Sequence, residues 1–172
     1  MNKQNCSTVL GIDPGSRNLG YGLVLKNGNK LSSTNFGTLQ FNTDHDSNDR
    51  LLEIYQRVKA LLIELKPNEV AIEKIFFAKN ALSAMKLGMA RGVVILAVKE
   101  FGIPMSEYSP NEVKSAVAGF GHADKDQVAK MITLLLGIRD FKTKDASDAL
   151  AIAITHLQTR NHNSVAKAKS VF

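Results

Sequence analysis

The chain is poor in the features that would take it out of a reducing, aqueous compartment. It has one cysteine, Cys6, which excludes an internal disulfide and a multi-thiolate zinc site and suits a reducing cytoplasm. No uninterrupted apolar run is longer than Val93 to Val98, far short of the roughly 20 residues of a membrane span. The first residues lack the apolar core of a signal peptide, so the expectation is a soluble, unexported, cytoplasmic protein. Internal repeats and low-complexity blocks are absent. The four histidines (His45, His122, His156 and His162) show no metal-ligand spacing, and His156 is read as a filler on its helix rather than a base. Net charge is missing from the first 73 residues, which carry eight Lys plus Arg and eight Asp plus Glu; the whole excess of +6 lies after Glu73. That asymmetry suits a polyanionic partner without requiring one. With 172 residues, 44% hydrophobic and 22% charged, the composition is globular and fits one domain. We expect a single domain over 1–160 and a basic, flexible tail over 161–172.

Periodicity changes along the chain. Ser7 to Asp13, Gly20 to Lys26 and Lys30 to Phe41 read as three strands of a meander, punctuated by Pro14-Gly15 and Asn27-Gly28-Asn29. From Asp49 the apolar residues Leu51, Tyr55, Val58, Leu62 and Leu65 take helical spacing up to Pro67. Glu69 to Ile75 reads as a strand, Asn80 to Glu100 as a long helix, and Ile103 to Tyr108 as a strand, together a crossover unit. Ser109-Pro110-Asn111-Glu112 carries a capping box and opens a short helix. Asp124 caps another, and Asp145 to about Gln158 is a final helix. The predicted fold is α/β: a five-stranded mixed sheet with helices on both faces.

Four acids stand where solubility does not call for them. Asp13 closes an apolar strand, although a turn before Pro-Gly also favours Asp. Glu73 interrupts the apolar run EVAIEKIFF, and alternation puts Ile72 and Lys74 on the face opposite it. Asp145 is readable as an N-cap, but Asp148, one turn later on the same face, is not explained by capping. If the four converge, their mutual repulsion asks for divalent cations with oxygen ligands. The absence of nearby His or Cys favours two magnesium ions, or manganese, over zinc. Such a pair can clamp the attacking and leaving oxygens of a phosphodiester.

The motifs Gly11-Ile12-Asp13-Pro14-Gly15-Ser16-Arg17 with Gly20-Tyr21-Gly22, then Ala71-Ile72-Glu73-Lys74-Ile75-Phe76-Phe77-Ala78-Lys79-Asn80 with Lys86-Leu87-Gly88 and Ala90-Arg91-Gly92, then Asp145-Ala146-Ser147-Asp148-Ala149-Leu150-Ala151-Ile152-Ala153, closely resemble the RuvC family of crossover junction endodeoxyribonucleases. The resemblance runs from Val9 to Leu157, in order and with the family's spacing. It implies a ribonuclease-H-like fold and a homodimeric, magnesium-dependent nuclease that resolves Holliday (four-way) junctions in recombination and repair, with the RuvA and RuvB branch-migration proteins as partners. It also implies that Asp13, Glu73, Asp145 and Asp148 are the catalytic, metal-binding acids. Other readings are a different polynucleotide hydrolase of this fold, an actin-like phosphotransferase using Asp13-Pro14-Gly15-Ser16, or a non-catalytic DNA-binding module.

Beyond the acids, one of the adjacent Phe76 and Phe77 must point away from the core, and the resemblance makes Phe76 the residue that stacks on a base at the opened junction. It places Lys114 and Lys125 by the scissile strand, and Arg17 and Lys79 are read with them as DNA-binding. Ala84, Gly88 and Gly92 recur every four residues on the long helix. Two interior glycines cost about 1 kcal/mol each, so a backbone should approach this stripe closely. Either the domain's own sheet does so, or the same helix of a second subunit, which the resemblance favours.

Overall fold

The computed structural model describes residues 6–42, 44, 46–74, 80–141 and 143–169, with side chains up to Arg160. The meander forms as expected: β1 (Cys6–Asp13), β2 (Asn18–Asn27) and β3 (Lys30–Gln40) pair antiparallel in sequence. Helix α1 (Ser47–Leu65) follows, then β4 (Glu69–Glu73), which lies parallel beside β1. Helix α2 (Ala81–Glu100) crosses back to β5 (Met105–Tyr108), parallel to β4. The sheet order is β3-β2-β1-β4-β5. Three helices complete the chain: α3 (Pro110–Ala118), α4 (Lys125–Leu136) and α5 (Lys144–Lys169).

Strand alternation sorts the core into two layers. Leu10, Ile12, Val70 and Ile72 point to one face and meet Ile54, Val58 and Leu62 of α1 and Val94, Ala97 and Val98 of α2. Val9 and Ala71 point to the other and meet α3, α4 and α5 through Val113, Val117, Val128, Ile132 and Leu150. Helices therefore cover both faces.

Local chemistry sets the boundaries, and some differ from expectation. The Ser109–Glu112 capping box forms at α3, and Asp124 caps α4 as expected, with Gln127 completing a second box there. Asn80 caps α2, accepting from the amides of Leu82 and Ser83. The N-cap reading of Asp145 is overturned. The helix begins one residue earlier, and the Thr143 hydroxyl, 3.4 Å from the Ala146 amide, takes the capping role. Strand β4 ends at Glu73 and β5 begins at Met105 rather than Ile103. Helix α5 runs past Gln158 to Lys169, so the backbone of 161–169 continues that helix.

By length and composition α2 is apolar enough to cross a membrane, although Lys86 and Arg91 break its apolar residues into short runs. Its stripe Ala90, Val94, Ala97 and Val98 is buried in the core, whereas Leu82, Met85, Met89 and Leu96 are exposed.

Candidate active site

The two strand acids come together through topology. Asp13 ends β1 and Glu73 ends β4, neighbouring parallel strands whose register runs to Ile12 opposite Ile72. Their odd positions match Val9 and Ala71, so both acids emerge on the face covered by α5. They stand at the carboxyl ends of the central strands, where open α/β sheets present their sites.

Helix α5 reaches these acids because glycine lets it lie directly on the sheet. A Cβ at Gly11 would fall 1.9 Å from the carbonyl oxygen of Ala149, and one at Gly20 would fall 2.1 Å from that of Asp145. Gly20 is the partner of Asp13 across the β1–β2 ladder, so Asp145 sits over the strand beside Asp13. Asp148 follows one turn on and, with Asp13, Glu73, Lys114 and Lys125, lines a cleft of ≈ 240 Å³ between α3, α4 and α5.

The electrostatics register the crowding. Desolvation, then the charges of Glu73, Asp148 and Asp145, push the Asp13 carboxyl up to about 7, against a smaller opposing pull from Lys125. Burial and Asp148 raise Glu73 as well. Lys125 donates to Asp148 Oδ2 at 3.1 Å, and this bond and charge hold its ammonium above the usual lysine value. A lysine thus supplies part of the positive charge the acids require. Among the described residues, no group of three or more His, Cys, Asp or Glu is closed tightly enough to hold a metal ion as it stands. The donors that converge are carboxylate oxygens without nitrogen or sulfur, a set that fits a hard divalent cation.

Of the DNA-binding candidates, Lys114 and Lys125 line the cleft, and Arg17 is exposed in the β1–β2 turn that follows Asp13. Phe76 and Lys79 lie outside the described residues. Among the described residues, nothing lies within 4 Å of a Cβ added at Gly88 or Gly92, so the stripe they form with half-buried Ala84 does not pack on this domain's own sheet. His156 is buried at the opposite sheet end, its ring nitrogens 2.8 Å from the Tyr108 hydroxyl and 2.9 Å from Glu69. It is a packed core residue, which decides between the core and surface filler that its sequence context left open. A larger cleft of ≈ 630 Å³ at that end is lined by Ser7, Asn68, Glu69 and Arg160, and Glu69 there is paired to both Arg160 and His156. Sequence reasoning passed over Gly11, Gly20 and Thr143 as determinants of the site. Glycine at alternate strand positions facing an alanine-rich helix was the available signal.

A mixed sheet in this order, with acids at the ends of its central strands and an acid-bearing helix laid across them, defines a ribonuclease-H-like α/β protein. The family described as "Crossover junction endodeoxyribonuclease RuvC" matches residues 9–156. The protein of that name from Syntrophotalea carbinolica is 49% identical over 148 residues, 86% of this chain and 92% of the relative. Thermus thermophilus RuvC in complex with Holliday junction substrate superposes with a TM-score of 0.86 at 36% identity, over 91% of this chain and 96% of that one. The yeast mitochondrial Holliday junction resolvase Ydc2 shares the fold, with a TM-score of 0.67 at 18% identity over 94% and 86% of the two chains. The chain belongs to the RuvC family of crossover junction endodeoxyribonucleases.

Proposed function

We propose that this protein cleaves Holliday junctions as a divalent-metal-dependent endodeoxyribonuclease, nicking two strands symmetrically during recombination and repair. The observation that carries the reading is the convergence of Asp13, Glu73 and Asp148 on one cleft with Asp145 beside it, bordered by Lys114 and Lys125. The four acids would hold magnesium, with manganese able to substitute. When bound, that metal would supply water activation and neutralise charge at the scissile phosphate.

The chain's own groups have separable tasks. Lys114, within the cleft, and Lys125, exposed at its mouth, attract phosphate oxygens. Lys125 can exchange its Asp148 partner for a phosphate once a cation neutralises the acids. Arg17 extends the basic rim, with Lys79 as a further DNA contact and Phe76 as the base-stacking wedge. The exposed Leu82, Met85, Met89 and Leu96 of α2, beside the open stripe at Ala84, Gly88 and Gly92, support a twofold seam between two copies, which would present two sites to one junction. Cytoplasmic location and cooperation with RuvA and RuvB belong to the same proposal.

The test is a synthetic four-way junction and a linear duplex, each with magnesium. Paired, symmetric, ligatable nicks in the junction, in preference to the duplex, are expected. Asp13→Asn, Glu73→Gln, Asp145→Asn and Asp148→Asn should each abolish cleavage while retaining metal-free junction binding. Equal cleavage of both substrates, or substantial turnover by the Asp13, Glu73 and Asp145 variants, would overturn the proposal.

A further inference from the structure

Among the described residues, the strand end that carries Glu73 has a gap in its ladder hydrogen bonding, and a residue of α2 fills it. Val70 and Lys74 donate their amides to the carbonyls of Pro104 and Tyr108, at 2.9 and 2.8 Å. Even-numbered backbone groups of β4 therefore face β5, and odd-numbered ones, including those of Glu73, face β1. In the β1–β4 register, where Gly11 lies opposite Ala71, the next rung would require the Glu73 carbonyl to accept from the amide of residue 14. Residue 14 is proline and has no N–H. The register stops accordingly at Ile12 and Ile72. The Nε of Arg91 donates to the Glu73 carbonyl at 3.3 Å, and its guanidinium is fixed from the other side by Glu107 of β5, 2.8 Å from an Nη atom. The Arg91 side chain is only 17% exposed.

We infer that Arg91 is a positioning residue: it substitutes for the amide that Pro14 lacks and so fixes the end of β4 from which the Glu73 carboxylate projects. The inference rests on the role proposed above for Glu73. It adds that the helix carrying the open glycine stripe also holds the site's second strand, since Arg91 lies between Gly88 and Gly92. A carbonyl left without its donor loosens the strand end, and the carboxylate one side chain away loses its fixed origin.

The distinguishing variant is Pro14→Ala, which restores an N–H to β1. Arg91→Lys keeps a positive charge near Glu107 but cannot make both bonds. It should lower cleavage of saturating junction by about tenfold, raise the magnesium concentration needed for half-maximal rate, and leave metal-free junction binding unchanged. Adding Pro14→Ala should recover most of that loss. Independently of activity, in isotopically labelled protein without metal or DNA, the Glu73 carbonyl carbon resonance should shift in Arg91→Lys and return toward the parent position in the double variant. Circular dichroism and melting temperature verify that each variant is folded.

If Arg91 is instead a phosphate contact, junction binding will fall in step with cleavage and Pro14→Ala will rescue nothing; that result, or an Arg91→Lys protein indistinguishable from the parent in the carbonyl resonance, overturns the inference. A parent protein that fails to cleave junctions would sink the proposed function, while the resonance experiment still decides whether Arg91 substitutes for the missing amide.

Discussion

Asp13 is the residue on which the field of the whole cleft falls. Its carboxyl titrates near 7 instead of 3.8, so between those values the folded chain holds a proton that the unfolded chain has released. Stability from this group is therefore fully present below about 3.8 and is lost as pH rises through about 7. In metal-free protein, Asp13→Asn should accordingly be the more stable form at pH 8, by at least about 1 kcal/mol, with the difference vanishing near pH 4. Urea denaturation with a chelator present measures this, and equal stabilities at both pH values would contradict it. The same proton must leave when a cation binds, so the apparent magnesium affinity should weaken as pH drops below about 7. The sequence identified the acid but not its proton affinity, because that depends on burial and on Glu73, Asp148 and Asp145 being brought near it by two other elements, β4 and α5.

At the scale of elements, two sets of glycines do opposite work. Gly11 and Gly20 are filled against the backbone of α5, whereas Gly88 and Gly92 meet none of the described residues. Gly11→Ala must lift the helix from β1, costing about 1 to 3 kcal/mol or more from overpacking and separating Asp145 and Asp148 from the strand acids. Chemical denaturation and junction cleavage should both register it. Gly88→Leu should leave the fold of a single chain untouched. If α2 forms the seam, that variant should sediment as a folded monomer with native circular dichroism; a stable dimer that still nicks both strands would contradict the seam. Sequence reading succeeded where the determinants are local: the Ser109 and Asp124 caps and the helical spacing of α1 follow from neighbours within one turn. It left Asp145 open between cap and site acid, since whether Thr143 or Asp145 caps the helix depends on where the sheet holds α5. It also left open what the α2 glycines face, because periodicity says that a stripe exists and not which side of the molecule it occupies.

For the whole molecule, one chain carries one acid cleft, and symmetric nicking needs two. A mixed dimer of parent and Asp13→Asn chains, carrying distinct affinity tags and purified on both, should nick one strand of a junction and leave the other intact. Denaturing gels with each strand end-labelled read this directly, and paired nicks from the mixed dimer would show that the two strands are not assigned to separate subunits. The course of α5 adds a consequence of its own. The helix rests on β1 where Ala149 meets Gly11 and touches β2 where Asp145 meets Gly20, then continues across the sheet to Arg160, which grips Glu69 at the other end. At 1.5 Å per residue these holds span about 22 Å of helix, and from Ala146 to Leu157 every residue but Asp148 is buried. The helix is thus a splint: the acids at its amino end keep their place over the sheet, and a pull on the chain's carboxyl end meets the Arg160–Glu69 tie first.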